Sequence, residues 1–248
     1  MAWLGALAIG LSLGLLGSGG SILTVPVLIF LVGESEKVAI AESLAIVGGI
    51  ALVGAMPFVI RRLVAWRSVV FFGVPGMIGS YAGAAMSRYV SGAFQLALFG
   101  GIMLLAAALM WRPPDFASAK RESVRQLWKI AMDGFFVGAL TGFVGVGGGF
   151  MIVPALVLLG GLPMRLAVGT SLLIIAMKSL TGFVKYLDVL AELGLGADWT
   201  LIFVLTAIGA VGTLLGNWLG ARLPQQRLRE AFAVFLVAMA GFVLYTSL

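Results

Sequence analysis

Apolar residues run in eight long blocks along the 248-residue chain, at roughly 2–32, 38–60, 68–87, 92–111, 128–160, 166–187, 199–219 and 228–247. About 20 apolar residues cross a bilayer, so blocks of this length predict membrane-spanning helices. Six blocks have the length of one crossing. The first and fifth are longer, and glycine interrupts each. The first break reads Gly14-Leu15-Leu16-Gly17-Ser18-Gly19-Gly20-Ser21 and leads to Val25-Pro26. The second reads Gly142-Phe143-Val144-Gly145-Val146-Gly147-Gly148-Gly149 and leads to Val153-Pro154. At 1.5 Å per residue, each arm reaches the middle of the bilayer or somewhat past it.

The two breaks lie 128 positions apart, and that register holds without a gap. Gly14, Gly17, Gly19, Gly20, Pro26, Gly33, Ser43, Leu44 and Gly54 map onto Gly142, Gly145, Gly147, Gly148, Pro154, Gly161, Ser171, Leu172 and Gly182. The chain reads as a duplication within a single membrane domain: repeat 1 over 1–111, a linker over 112–127 and repeat 2 over 128–248. Paired Gly/Pro-interrupted segments at matching positions point to a substrate site. The third span of each half also carries small residues four apart, Gly79 and Gly83 in one and Gly212 and Gly216 in the other. Such spacing lets helix backbones approach closely, so these glycines predict helix packing rather than ligand contact.

Charge decides whether the broken segments cross the membrane or dip in and return. If both return, one face collects Arg61, Arg62, Arg67, Arg112, Lys120, Arg121, Arg125, Lys129, Arg165, Arg222, Arg227 and Arg229. The other keeps Lys37, Arg88 and Lys185 beside Glu34, Glu36, Asp188, Glu192 and Asp198. Full crossings would scatter the arginines over both faces, whereas Lys and Arg collect on the cytoplasmic side. The predicted fold is therefore an all-α integral membrane protein of two inverted repeats. Each repeat has one broken re-entrant helical hairpin plus three transmembrane helices. Both termini lie outside and the 112–127 linker is cytoplasmic. Trp3, Trp66, Trp111, Trp128, Trp199 and Trp218 all fall near span ends, where indole favours the interface.

Composition narrows the chemistry. The chain is 61% hydrophobic and 10% charged, with a mean hydropathy of +1.14. Its net charge of +6 sits mostly in loops, which reports membrane orientation and not nucleic-acid binding. The N-terminus lacks a basic n-region and reads as a retained membrane segment. Cysteine and histidine are absent, which removes thiolate chemistry and the commonest acid-base group and metal ligand. No cofactor and no metal site are expected. No Gly-x-x-x-x-Gly-Lys-Ser/Thr motif is present, which favours a secondary carrier. The expected partners are a small anionic substrate and the lipid bilayer, and a homo-oligomer is left open.

A broken helix leaves free N–H groups and a positive dipole end where it restarts. Glycine lets a ligand approach that backbone. Ser18, Gly19, Gly20 and Ser21 in the first half, with Gly147, Gly148 and Gly149 in the second, are the candidate anion-binding stretch. Lys178 lies near the centre of its block, where a lysine costs roughly 2.5–3.5 kcal/mol on insertion scales and faces a cavity or a partner. Ser171, Lys178 and Lys185 recur every seven residues and share a helix stripe. Lys178 reads either as the fixed charge of an anion path or as an ion-pair partner of Glu42, while Lys185 snorkels outward. Glu42, aligned with Thr170, reads as a proton-coupling carboxylate or as a cap near the outer surface. Asp133 and Asn217 are weaker candidates.

The two Gly-rich breaks, each followed by a proline, together with Gly169-Thr170-Ser171, resemble the TauE/SafE family of bacterial and archaeal sulfite exporters. The resemblance is fuller in the second half. The first half departs from it at Ser21, where Gly149 aligns, and at Glu42. It implies an exporter of a small sulfur-containing anion such as sulfite or an organosulfonate, and the inverted repeats predict that it works by alternating access. Ser18, Gly19, Gly20, Ser21, Gly147, Gly148, Gly149, Thr170, Ser171 and Lys178 would bind it, and Glu42 would couple protons. The rivals are an anion channel and, further behind, an intramembrane enzyme. The enzyme would lack an evident nucleophile-base pair.

Overall fold

The computed structural model describes residues 2–17, 20–111, 127–144, 149–159 and 161–224, with a few positions between 230 and 241. Ser18, Gly19, Gly147, Gly148 and most of the 112–127 linker and the 228–247 block lie outside the described residues. No strand occurs among those described. The elements are α1 (Ala2–Leu16), α2 (Gly20–Val27), α3 (Glu36–Ile60), α4 (Trp66–Ser68), α5 (Val74–Met86), α6 (Gly92–Trp111), α7 (Leu127–Val144), α8 (Gly149–Pro154), α9 (Met164–Glu192) and α10 (Trp199–Gly220). Among the described residues, four stretches are long and apolar enough to cross a membrane: Glu36–Ile60, Trp66–Tyr89, Met164–Glu192 and Trp199–Gly220.

The first glycine break is a true helix end. α1 stops at Leu16, and Gly17 takes the left-handed conformation at φ +71° that glycine adopts without steric cost. At 15 residues, α1 spans about 22 Å, short of a hydrocarbon core of about 30 Å. α2 then returns along α1. A Cβ on Gly20 would fall 2.2 Å from Ile9 O, and one on Gly5 would fall 2.8 Å from Val27 Cγ1. In the second half, α7 ends at Val144 and α8 begins at Gly149 on either side of the matching break.

Pro26 and Pro154, aligned in sequence, are each followed by a π-helical turn, at Leu28–Val32 and Ala155–Leu159. Proline removes a backbone donor and crowds the carbonyl four residues back, and a wider turn accommodates both effects. α9 continues beyond 187, where the apolar block ends. Its polar last turns are held by Lys185 Nζ to Asp188 Oδ2 at 2.9 Å and by Arg88 to Glu192 at 3.4 Å.

The main helix contacts are exchanged between the halves. α1 lies parallel against α10, and α7 lies parallel against α5. Glycine makes both contacts possible. A Cβ on Gly10 would sit 1.9 Å from Gly209 O, and one on Gly212 2.6 Å from Leu7 O. In the matching pair, a Cβ on Gly138 would sit 2.2 Å from Gly76 O, and one on Gly79 2.1 Å from Phe135 O. The glycines read from sequence as packing positions are thus where backbone meets backbone. α3 and α9 cross antiparallel at the centre by reciprocal contacts: Leu44 against Gly182, and its counterpart Leu172 against Gly54. Around this core Trp3, Ile78 and Phe203 are exposed, apolar side chains of the kind that hydrocarbon can cover.

Candidate functional site

The break in the first half is joined to the second half by one side chain. Ser171, fully buried on α9, places its hydroxyl 2.9 Å from Gly17 O and 2.8 Å from Val168 O. A Cβ on Gly17 would lie 3.0 Å from Val168 Cα, so the turn leaves no room for a larger residue. On the returning arm, Gly20, Ser21 and Thr24 are buried, and Thr24 Oγ1 donates to Gly20 O at 2.9 Å. α2 and α8, the two arms that restart after the breaks, touch one another. Gly149 opens α8.

Lys178 is 1% exposed, and its Nζ has no hydrogen-bond partner among the described residues. Its stem lies along Gly76 of α5, where a Cβ would meet Lys178 Cδ at 2.9 Å. Ser80 of the same helix donates to Lys178 O at 3.0 Å. The ion pair with Glu42 is not formed. Glu42, fully buried, accepts the Asp198 N–H on Oε1 at 2.7 Å, and its Oε2 has no partner among the described residues. Thr170, aligned with Glu42, accepts the Ala65 N–H at 2.9 Å and donates to Leu166 O at 2.6 Å. Lys185 pairs with Asp188, as snorkelling predicts. Asn217 Nδ2 donates to Gly54 O at 2.9 Å. Asp133 is half-buried.

A cavity of about 170 Å³ opens beside the first break, between the ends of α1, α3 and α10 and the start of α9. Gly14, Val168 and Asn217 line its inner part, and Arg61 and Arg165 line it where it reaches the surface. Arg165 donates to Ala221 O at 2.7 Å. Arg222 stacks on Trp218 at 3.6 Å at the same end.

A polar cluster that the sequence pattern does not mark lies at the opposite end. Lys37 Nζ donates to Ser87 O at 2.7 Å and to Gln95 Oε1 at 2.6 Å. Gln95 Nε2 donates to Tyr186 OH at 2.9 Å and to Phe143 O, and Tyr186 OH donates to Phe143 O at 3.1 Å. Gln95, Ser87 and Tyr186 are fully buried. The available signal was Gln95 itself, the one polar residue in the 92–111 block.

Among the described residues, four bilayer-length spans, a helix end at Gly17 inside an apolar block and buried polar groups without a partner fit a multi-pass membrane transporter. The chain belongs to the sulfite exporter TauE/SafE family, whose model matches residues 2–243. It is 33% identical to a probable membrane transporter protein of Xylella fastidiosa strain 9a5c, over 96% of this chain and 92% of that one. A probable membrane transporter protein of Methanocaldococcus jannaschii is 24% identical, over 94% of this chain and 90% of its own length. No solved structure matches the chain.

Proposed function

We propose that the protein is a secondary transporter exporting a small sulfur-containing anion, such as sulfite or an organosulfonate, by alternating access. The observation that carries this reading is Lys178, a lysine buried at mid-helix with no protein partner for its ammonium among the described residues. Such a group in a membrane interior marks a solute path, and the solute that compensates it is an anion. The backbone N–H groups of residues 18–21 and 147–149 would be the neutral donors to the anion, and Ser171, whose hydroxyl is engaged by Gly17 O and Val168 O, would hold the turn beside them. Thr170, whose hydroxyl already has two partners, frames the site one residue away. Glu42, with one buried oxygen bare, is the proton-coupling carboxylate.

The architecture proposed is two inverted repeats, each entering as a re-entrant hairpin followed by three crossings. What supports it is the return of α2 along α1 and the reciprocal contacts of α3 with α9. Arg61, Arg165 and Arg222 gather at one end and Arg88, Lys185 and Glu192 at the other. This distribution supports a cytoplasmic face at the arginine-rich end. Reconstitution into liposomes with a panel of sulfur oxyanions and sulfonates, with and without a pH gradient, tests the reading. Saturable flux of at least one of them, lost in Lys178→Ala, is the expected result. Flux unchanged in that variant would remove the lysine from the path.

A further inference from the structure

The cavity and the polar cluster occupy matching positions in the two halves. Arg165 corresponds to Lys37, Phe58 to Tyr186, Leu15 to Phe143 and Val168 to Ile40, all at the 128-residue offset. The third spans match at an offset of 133, which pairs Gly220 with Ser87. The hydrogen bonds are alike, though one position out of register: Arg165 donates to Ala221 O at 2.7 Å, next to Gly220, and Lys37 donates to Ser87 O at 2.7 Å. Yet, among the described residues, one location holds a cavity and the other is filled. Around Arg165 there is a cavity of about 170 Å³. Around Lys37 the corresponding space holds the carboxamide of Gln95, which comes from α6. Its oxygen meets the ammonium at 2.6 Å, as an anion oxygen would, and its nitrogen donates to Tyr186 OH and to Phe143 O in the last turn of α7.

We propose that Lys37 and Tyr186 form a second anion station at the mixed-charge end, counterpart of the Arg61–Arg165 cavity, and that Gln95 holds it shut. The proposal rests on the transport reading and extends it. The anion loads beside Arg61 and Arg165 and leaves past Lys37 once Gln95 withdraws. Gln95 is then both plug and ligand mimic, so the Lys37 ammonium keeps a hydrogen-bond acceptor while the station is closed.

The chain contains no cysteine, so a single introduced thiol reports its own surroundings. In sealed vesicles of the full chain, Val168→Cys is expected to react with a membrane-impermeant maleimide from the arginine-rich side. Ile40→Cys, its counterpart, is expected to react about tenfold more slowly or worse from either side, since reactivity follows the population of the open form. Adding Gln95→Ala, or the milder Tyr186→Phe, makes Ile40→Cys reactive from the side opposite to Val168→Cys. Methanesulfonate then slows that reaction, and Lys37→Ala abolishes the protection. Equal reactivity of Ile40→Cys with and without Gln95, or reactivity that methanesulfonate leaves unchanged, overturns the proposal. Sulfonate flux by the otherwise unaltered chain is measured in parallel. Flux without any effect of Gln95 removes the second station alone, and the expected labelling without flux removes the transport reading alone.

Discussion

Glu42 and Asp198 are joined by a hydrogen bond of 2.7 Å, in which the residue opening α10 donates its backbone N–H to the buried carboxylate. The same relationship is repeated by Thr170 and Ala65 at 2.9 Å, across the same two repeat offsets. In each half, a residue early in the second span holds the first turn of the other half's third span. One tether is a hydroxyl and the other a carboxylate with an oxygen to spare. Thr170→Val is expected to leave the Ala65 N–H unpaired and cost about 1–3 kcal/mol, read as a lower melting temperature in detergent. Glu42→Gln retains an acceptor for Asp198, so it should melt near the parent temperature while its flux loses its pH dependence. An unaltered pH profile removes Glu42 from proton coupling.

Lys178 separates stability from function. A buried charge without a partner is destabilising, and replacing it by an apolar residue of similar length relieves that cost. Lys178→Met is therefore expected to raise the melting temperature and to reduce anion flux about tenfold or more, the equivalent of ~1.4 kcal/mol or greater. Lys178→Arg should keep part of the flux. A fall in melting temperature for the methionine variant would instead mark the lysine as a structural partner.

The glycine crossings predict a sharp positional contrast. In Gly79→Ala the new methyl would lie 2.1 Å from Phe135 O and 2.8 Å from Ala139 N, both backbone. Neither can turn aside, so α5 and α7 must separate at a cost of about 1–3 kcal/mol. Gly101→Ala, with nothing within 4 Å of its Cβ, should be neutral or gain up to about 1 kcal/mol from helix propensity. Thermal stability of the two purified variants checks the pair.

The first break offers a direct test of the turn. Gly17→Ala would put an L-residue at φ +71°, with its Cβ 3.0 Å from Val168 Cα and 3.1 Å from Ser171 Oγ. The left-handed conformation alone costs roughly 1–2 kcal/mol. Reduced flux is expected, with loss of the Ser171 contact. Ser171→Ala, which keeps the turn and removes only the hydroxyl, should be the milder of the two.

Much of this arrangement is legible because lipid permits so little. Hydropathy marks α3, α9 and α10 directly, and the break at Gly17 follows from glycine at matching positions of two apolar blocks. Gly79 and Gly212 announce close crossings, though not their partners, since nothing in a four-residue spacing says which helix lies opposite. Three-dimensional exchange between the halves also hides the task of Thr170, whose partner is 105 positions away. Lys37 reads only as one of the loop charges of the mixed face, yet its ammonium turns inward onto Gln95, where it meets the neighbourhood of Tyr186, a residue the pattern does not single out. The π-helical turns after Pro26 and Pro154 leave no mark in an apolar pattern, which fixes the presence of a helix and not its pitch.

The pairing of α1 with α10 and of α5 with α7 has a consequence for biogenesis. Gly10 is among the first residues made, and Gly209, the backbone it rests on, emerges about 200 residues later, roughly 10–40 s at ribosomal speed. Until then α1 has α2, the π-helical turn after it and part of α3 beside it, with the glycine face that α10 will cover left open. The protein cannot finish assembling as its helices enter the bilayer one by one; the first inserted must wait for nearly the last.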